Sequence, residues 1–254
     1  MSEKIIVITG ASSGIGAAAA DRLAGLGHSV AIVARRKNEL DRVATRCGGR
    51  GYPIVADVSD RSQVRRVVED ALTRFGRIDV WINNVGQGIT RQPSQLTDED
   101  IDLVMQVNVK SALYGMQEVL PHFKSRHDGH IINISSMLGR IPFAAIRSAY
   151  CGAKHFLNAL TITFRAEVQE THPGIQVSIV SPGIVRTDFG VNAIHGGPDS
   201  RSFPDSQSAG EVATVIADVV ALRTPDVYTF AGAQGRIASY YTAVGVDPQP
   251  SRTA

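Results

Sequence analysis

The sequence predicts an α/β fold in which helices cover both faces of one doubly wound parallel sheet. Short runs rich in Val and Ile alternate with helical stretches along the 254-residue chain. These runs are apolar throughout rather than at every second position, which is typical of parallel strands buried on both faces. Hydrophobic residues make up 43 % of the chain, enough for a sizeable core, and the length favours one domain over residues 1–254.

The predicted elements follow one another in a regular order. The strands are KIIVITG, HSVAIVAR, YPIVADV, IDVWINNVG, HIINISS, IQVSIVSPG and VYTFAG. Between them lie helices in GAAAADRLAGLG, NELDRVATRC and SQVRRVVEDALTRFG, then a helix across 98–124 and another across 149–170. Residues 188–210 break this order with many Gly, Pro, Ser and Asp residues, which favours a substrate-binding loop over a linker. The tail at 246–254 is expected to be frayed.

Composition argues against several classes of partner. The net charge of +2 comes from 26 basic and 24 acidic residues without a long run of either sign, which disfavours nucleic acid or membrane as the main partner. The apolar run near the start is too short for a signal peptide or a membrane-spanning helix. A cytoplasmic location is therefore expected.

Cysteine and histidine spacing predicts no metal site. Cys47 and Cys151 are more than a hundred residues apart, so we expect two reduced thiols. His122, His127 and His130 lack the spacing of metal ligands, and we expect them on the surface.

The turn after the first strand reads TGASSGIG, and an alanine-rich helix follows at once. Glycines allow the backbone to approach a pyrophosphate, and the helix N-terminus offers unpaired N–H groups to it. The alternative is a plain strand-to-helix turn, but the strand before and the helix after favour dinucleotide binding. The predicted contacts are Gly10, Ser12, Ser13, Gly14, Ile15 and Gly16.

The end of the second strand carries Arg35 and Arg36, and no acidic residue comes before Glu39. An acid there usually holds the ribose 2′-hydroxyl of NAD, whereas an arginine accommodates the 2′-phosphate of NADP. A guanidinium grips a phosphate with two hydrogen bonds, while a carboxylate repels it. The pattern favours NADP(H) over NAD.

Two further strand ends offer cofactor contacts. Asp57 and Val58 end the third strand and could reach the adenine, although capping the next helix is an equally good use of Asp57. Asn84, Val85 and Gly86 follow the fourth strand at the edge that lines the ligand crevice, but Asn and Gly also form ordinary turns.

The stretch SAYCGAK places Tyr150 and Lys154 four residues apart, on one helix face. A phenol with a pKa of about 10 needs roughly 4 kcal/mol of preference for phenolate before it acts as a base near pH 7. A lysine ammonium at about 4 Å supplies about that much at an effective dielectric of 20. The pair therefore makes chemical sense beside a nicotinamide cofactor.

The chain resembles the classical short-chain dehydrogenase/reductase family over essentially its whole length. The motifs that carry the resemblance are TGASSGIG, the Asp57 position, NNVG, Asn108, NISS, YCGAK and SPGIVRT, all in register. The resemblance implies a Rossmann-like domain with about seven parallel strands, assembled as a homodimer or homotetramer. Such proteins move hydride between a nicotinamide and a carbonyl or alcohol.

The resemblance also implies catalytic roles. Tyr150 is the acid in reduction and the base in oxidation, and Lys154 lowers its pKa and binds the nicotinamide ribose. Ser136 hydrogen-bonds the substrate oxygen, and it fits better than Ser135, since it stands 14 rather than 15 residues before the tyrosine. Asn108 lies in a helical pattern, where Asn ordinarily faces solvent. The resemblance instead implies that it holds a water molecule that relays protons between Lys154 and solvent.

In the SPGIVRT motif the resemblance assigns Pro182, Gly183, Val185 and Thr187 to the nicotinamide, with Thr187 on its carboxamide. The expected pocket walls are residues 86–96, 139–146 and 188–210. The apolar side chains expected there are Leu138, Ile141, Phe143 and Ile146, which favour a largely hydrophobic substrate.

Two other readings of the sequence stay open. An NAD-dependent alcohol dehydrogenase of the same family is one, and a non-catalytic NADP(H)-binding redox sensor is the other. Arg147, one turn before Tyr150, could meet an anionic substrate, although a solvated loop arginine is the more frequent case. Cys151 is expected to pack rather than react.

Overall fold

Seven parallel strands form one sheet in the order β3-β2-β1-β4-β5-β6-β7, which confirms the predicted doubly wound architecture. The computed structural model describes residues 2–245, so the tail predicted at 246–254 lies outside the described residues. The strands are β1 (Ile5–Thr9), β2 (Ser29–Ala34), β3 (Gly51–Val55), β4 (Val80–Asn83), β5 (Gly129–Ile134), β6 (Ile175–Ser181) and β7 (Asp226–Tyr228).

Helices cover both faces of the sheet. They are α1 (Gly14–Gly25), α2 (Lys37–Arg46), α3 (Arg61–Phe75), α4 (Asp98–Met105), α5 (Ser111–Arg126), α6 (Ser148–Thr171), α7 (Ala209–Leu222) and α8 (Ala233–Ala243). The sequence reading did not identify α7 and α8. The first of these begins at a capping box between Ser208 and Glu211, so the last residues of the predicted 188–210 loop belong to a helix.

The two faces of the sheet carry separate hydrophobic clusters. Ile6 and Ile8 of β1 pack with α1 and α7, whereas Val7 between them packs on the other face with α3 and α5. Successive side chains of a strand point to opposite faces, so a strand covered on both sides must be apolar at every position. This is why the strands read as continuous apolar runs.

The helix predicted across 98–124 is continuous but changes its winding. A π-helical turn over Gln106–Lys110 joins α4 to α5. Such turns insert one extra residue into an α-helix and are frequent at functional sites. The turn contains Asn108, which is fully buried, rather than facing solvent as helical patterning alone predicts.

His130 corrects the prediction that the histidines lie on the surface. It is 1 % exposed in β5, and its Nε2 lies 2.8 Å from Ser178 Oγ on β6. Burial lowers the pKa of His130 to about 3, so the imidazole is neutral. Over residues 2–245, no helix has both the length and the apolar character that crossing a membrane requires.

Candidate active site

The predicted site residues gather along the carboxyl edge of the sheet. Strand order runs from β1 to β2 and β3 on one side, and from β4 to β5, β6 and β7 on the other. In an open parallel sheet the ligand crevice opens where this order reverses, here between β1 and β4. The glycine turn follows β1, and the segment after β4 faces it.

The glycine turn has the form of a phosphate cradle. Gly10 and Gly14 have φ values of 66° and 55°, in the left-handed region that favours glycine. A Cβ on Gly16 would lie 2.5 Å from Asn84 Nδ2 and nearer still to the Gly10 carbonyl oxygen. The turn therefore needs glycine at all three positions, and it leads directly into the N-terminus of α1, as dinucleotide binding requires.

We expect Gly16→Ala to weaken NADPH binding at least about tenfold and to lower stability by about 1–3 kcal/mol, because the added methyl group displaces the turn. Isothermal titration and urea denaturation measure the two effects. Gly25→Ala is the matched control on the same helix, since a Cβ there meets nothing within 4 Å. Equal NADPH affinity in Gly16→Ala and Gly25→Ala would show that the turn does not hold the cofactor.

The two arginines after β2 are placed differently. Arg36 Nη2 donates to Ser12 Oγ at 3.0 Å and to Ser13 Oγ at 3.1 Å, so its guanidinium lies against the glycine turn. Arg35 is 74 % exposed, and its Nη1 lies 3.8 Å from Asp57 Oδ2. The arginine next to the cradle is thus Arg36.

Asp57 does not cap the next helix. Its Oδ1 accepts hydrogen bonds from the Ser59 backbone N–H at 3.0 Å and from Ser59 Oγ at 2.7 Å. The cap of α3 is Asp60, which accepts from Ser62 N. The capping alternative for Asp57 is wrong because the chain turns once more before the helix begins. Val58 is buried in the apolar cluster beneath this turn.

The segment after β4 connects the glycine turn to the reaction centre. Asn84 Nδ2 donates to the carbonyl oxygens of Thr9 at 3.1 Å and Gly10 at 3.2 Å, so this side chain braces the turn. Val85 packs against the apolar cluster beneath the sheet edge. A Cβ on Gly86 would lie 3.3 Å from Asn108 Oδ1 and 3.6 Å from Lys154 Nζ.

Tyr150 and Lys154 lie on consecutive turns of α6 and both are buried. The Lys154 Nζ lies 5.7 Å from the centroid of the Tyr150 ring and donates to the Ile134 carbonyl oxygen at 2.9 Å. Ser136, the second residue after β5, lies close enough to Tyr150 to oppose the rise of its pKa, and its Oγ accepts from Leu138 N at 3.1 Å. The structure therefore brings these three side chains together. Ser135 Oγ is buried without a hydrogen-bond partner among the described residues.

Burial decides the protonation of the pair in this structure. It raises the pKa of Tyr150, although Ser136 beside it acts in the opposite direction. It lowers the pKa of Lys154 to about 8. The sequence argument expected Lys154 to bring the tyrosine pKa down, but in the structure burial sets the direction of the shift, and the groups that oppose it are Ser136 and Arg147. The phenol is neutral, which is the form that donates a proton.

Asn108 connects the π-helical turn to the end of β4. Its Nδ2 donates to the carbonyl oxygens of Gln87 and Val104, each at 2.9 Å, and its Oδ1 accepts from Gln87 N at 3.1 Å. Both amide hydrogens are therefore used in backbone contacts, and only one lone pair of Oδ1 remains for a water.

The motif after β6 lies beside both parts of the site. The Pro182 carbonyl oxygen accepts from Met137 N at 2.8 Å, and a Cβ on Gly183 would touch the Phe230 ring. Val185 is buried, and Thr187 reaches the glycine turn, since a Cβ on Gly14 would lie 3.3 Å from its Cγ2.

Residues 188–210 cover the reaction centre. The Phe189 ring lies against Tyr150 with the ring centroids 5.3 Å apart. Ile194 N donates to the Gly88 carbonyl oxygen at 2.8 Å, and Thr90 N donates to the Ile194 carbonyl oxygen at 3.0 Å. These two hydrogen bonds hold residues 188–210 against the chain segment that follows β4.

A buried carboxylate also holds this segment. Asp100 of α4 accepts from Arg91 Nη1 at 2.7 Å, and its Oδ1 lies 2.8 Å from His195 Nε2. Burial works to raise the pKa of Asp100, but the hydrogen bonds from Arg91 and His195 outweigh it and lower the pKa to about 2. Sequence reasoning missed this contact, since His195 stands 95 residues from Asp100 along the chain.

Only some of the residues expected to line the pocket lie near Tyr150. Leu138 packs with Tyr150 and Phe189, as a wall residue would. Ile141 instead packs with Met137 and Ala233 in a separate cluster beneath α8, and Phe143 is exposed. The walls near the tyrosine are therefore less apolar than the sequence predicts.

Neither thiols nor metal ligands are arranged for chemistry here. Cys151 is buried and free, and burial raises the pKa of its thiol to about 11. Among residues 2–245, no three His, Cys, Asp or Glu side chains are grouped so that they could hold a metal ion.

Comparison with known proteins identifies relatives by sequence. The short chain dehydrogenase family profile matches residues 4–196. An uncharacterized oxidoreductase of Staphylococcus saprophyticus is 35% identical over 188 residues, which make up 74% of this chain and 76% of that protein.

Solved structures share the fold. An alcohol dehydrogenase from the archaeon Thermococcus sibiricus, complexed with 5-hydroxy-NADP, has a TM-score of 0.76 at 26% identity over 89% of this chain and 96% of that chain. A short chain dehydrogenase/reductase from Burkholderia phymatum in complex with NAD has a TM-score of 0.86 over 98% of both chains. Its identity of 23% supports likeness of fold alone.

Proposed function

The chain belongs to the short-chain dehydrogenase family of oxidoreductases, and on that premise we propose that it reduces a carbonyl substrate with NADPH or runs the reverse alcohol oxidation. The observation that carries the proposal is the buried Tyr150 beside Ser136 and Lys154, at the crevice next to the glycine turn. When bound, the reduced cofactor supplies hydride to the carbonyl carbon. The carbonyl oxygen must then take up one proton.

The chain's own residues provide that proton and hold the oxygen. Tyr150, whose phenol is kept neutral by burial, donates the proton, and Ser136 hydrogen-bonds the oxygen on which negative charge gathers. Lys154 keeps a positive charge in the buried site and binds the nicotinamide ribose. A neutral phenol is the form that donates the proton in reduction.

The glycine turn and the residues around it would hold the dinucleotide. Gly10, Gly14 and Gly16 admit the pyrophosphate, with Ser12, Ser13 and Ile15 at the N-terminus of α1. We assign Asp57 and Val58 to the adenine side. The nicotinamide side takes Asn84, Val85 and Gly86 with Pro182, Gly183, Val185 and Thr187. Asn108 positions the segment after β4 through its bonds to Gln87.

Preference for NADP(H) over NAD(H) rests on the charge after β2. Arg36 lies against the glycine turn, and no carboxylate follows β2 at the position where one would hold the ribose of NAD. Arg35, whose Nη1 lies 3.8 Å from Asp57 Oδ2, supplies a second cation.

We expect Arg36→Ala to weaken NADPH binding about 10- to 100-fold and NADH binding by less than about threefold, since a charge-assisted phosphate contact is lost. Titration of NADPH and NADH into the wild type, Arg36→Ala and Arg35→Ala measures how much each variant loses in affinity for each cofactor. Arg66→Ala, an exposed arginine on α3, is the control. Tighter binding of NADH than NADPH by the wild type would favour the NAD-dependent alternative.

Turnover separates an enzyme from a redox sensor. A panel of aldehydes and ketones is incubated with NADPH, and loss of absorbance of the reduced cofactor is followed. Reduction of at least one carbonyl supports the proposal, whereas tight NADPH binding with no turnover across carbonyls and alcohols favours a non-catalytic sensor.

Assembly as a homodimer or homotetramer is also proposed. It is supported by exposed apolar side chains on two helices, α4 and α6. These are Ile101 and Leu103 on α4, and Phe156 and Ile162 on α6. Exposed apolar residues clustered on neighbouring helices are typical of subunit interfaces.

A further inference from the structure

Arg147 lies one turn before Tyr150 and is half-buried, which corrects the expectation of a solvated loop arginine. Its Nη1 donates to the Ile89 carbonyl oxygen at 3.0 Å. A Cβ on Gly88 would lie 2.8 Å from Nη1, and a Cβ on Gly197 would lie 2.9 Å from Nη2. The guanidinium is therefore enclosed between the segment after β4 and residues 188–210.

This guanidinium has no acidic partner within the part of the chain that the structure describes. Arg91 and Arg201 in the same region each pair with an aspartate, at 2.7 and 2.5 Å. Burial lowers the pKa of Arg147, and the nearby ionisable groups that oppose this effect are Tyr150 and Cys151 rather than carboxylates. An enclosed cation without a counter-ion costs free energy, which an arriving anion would offset.

A second polar group faces the same place. Thr90 Oγ1 is buried and has no hydrogen-bond partner among residues 2–245. A Cβ on Gly197 would lie 2.7 Å from this oxygen, 2.9 Å from Arg147 Nη2 and 2.7 Å from the Gly190 carbonyl oxygen, so two donors and one backbone acceptor meet there. A hydroxyl and a guanidinium that face the same point can both donate hydrogen bonds to one carboxylate.

Phe189 lies between the Arg147 guanidinium and the Tyr150 ring. A Cβ on Gly88 would lie 3.0 Å from Phe189 Cε1, and the same ring lies against Tyr150. The phenylalanine thus fills the space between the proton donor and the guanidinium. A substrate that takes the place of this ring would have Tyr150 at one end and Arg147 at the other.

We propose that Arg147, together with Thr90, binds an anionic group of the substrate, so that the substrate is an oxo acid or hydroxy acid whose carboxylate is separate from the reacting carbon. This rests on the proposed oxidoreductase function. It revises the expected hydrophobic substrate to one with an apolar middle, packed by Leu138, and a charged end.

The test compares matched substrates in which one carboxylate is either free and charged or methylated and neutral. The pairs are 4-formylbenzoate with methyl 4-formylbenzoate, and 4-oxopentanoate with its methyl ester. In the wild type kcat/KM for each acid should exceed that for its ester by about tenfold or more. Arg147→Met should remove this preference, mainly through KM of the acid, and leave the ester within about twofold.

Further variants separate charge from packing. Arg147→Lys keeps the positive charge and should retain part of the preference. Arg147→Gln keeps a donor for the Ile89 carbonyl oxygen and should lose the preference while preserving the melting temperature. Arg66→Met on α3 is the matched control and should behave as the wild type.

A binding readout distinguishes failure of this inference from failure of the proposed function. Benzoate and 4-formylbenzoate, added with NADP⁺, should raise the melting temperature of the wild type but not of Arg147→Gln. If no carbonyl is reduced and the shift still depends on Arg147, the anion site stands and the oxidoreductase proposal fails. If esters are reduced as well as acids and Arg147→Gln changes neither rate nor melting shift, the anion site is wrong.

Discussion

Tyr150→Phe is expected to lower kcat for carbonyl reduction by about 10²- to 10⁴-fold, because the proton donor is removed while the shape of the ring is kept. The dissociation constant of NADPH should change by less than about twofold, since the phenylalanine occupies the same space beside Phe189. Stopped-flow or steady-state assays measure the rate, and fluorescence titration measures the cofactor affinity.

A remote tyrosine controls for loss of a hydroxyl. Tyr52 on β3 lies at the far edge of the sheet, and Tyr52→Phe should leave kcat unchanged. A Tyr150→Phe variant that keeps wild-type turnover would assign the proton to another group. A variant that loses NADPH binding as well would place the tyrosine in the binding step rather than in the chemistry.

Lys154→Met is expected to act in opposite directions on activity and stability. The side chain is 2 % exposed, and no acidic residue in the described range lies within ion-pair distance of it. Its loss should lower kcat/KM by about 10²-fold or more, because a positive charge beside the proton donor disappears. Urea denaturation at pH 7 should give a free energy of unfolding about 1–2 kcal/mol higher, since a buried charge becomes an apolar side chain.

The pH dependence of this stability gain has a defined sign. Burial lowers the pKa of Lys154 from 10.5 to about 8 in the folded protein. In the wild type, the penalty of burying the ammonium applies below pH 8 and fades as the pH rises toward 10.5, where the unfolded chain also loses its proton. The advantage of Lys154→Met should therefore shrink between pH 8 and 10.5. An advantage that grows with pH would contradict the assignment.

Some parts of the site could be predicted because they depend on local chain geometry. The spacing of Tyr150 and Lys154 puts both on one face of α6 wherever that helix packs. Gly10, Gly14 and Gly16 are required by the turn itself, through positive φ and close backbone contact. The apolar strands predict a sheet covered on both faces. Successive side chains of a strand point to opposite faces, so a strand that is apolar at every position has no polar face.

Other parts could not be predicted because distant segments decide them. Capping the next helix is one of two uses that the sequence suggests for Asp57, but Asp60 performs that role once the chain turns again. Helical patterning alone leaves Asn108 facing solvent, whereas the π-helical turn buries it between Gln87 and Val104. His130 looked exposed until β6 covered it.

The sheet, the glycine cradle and the tyrosine–lysine pair could all be predicted from residue type and short-range spacing alone. Only the tertiary structure decided which arginine lies against the cradle, how the paired side chains ionise, and that Arg147 is enclosed without a counter-ion. Ionisation and pairing depend on the water that neighbouring segments exclude and on the charges that they bring. Those neighbours, such as Gly197 beside Arg147, come from segments far away along the chain.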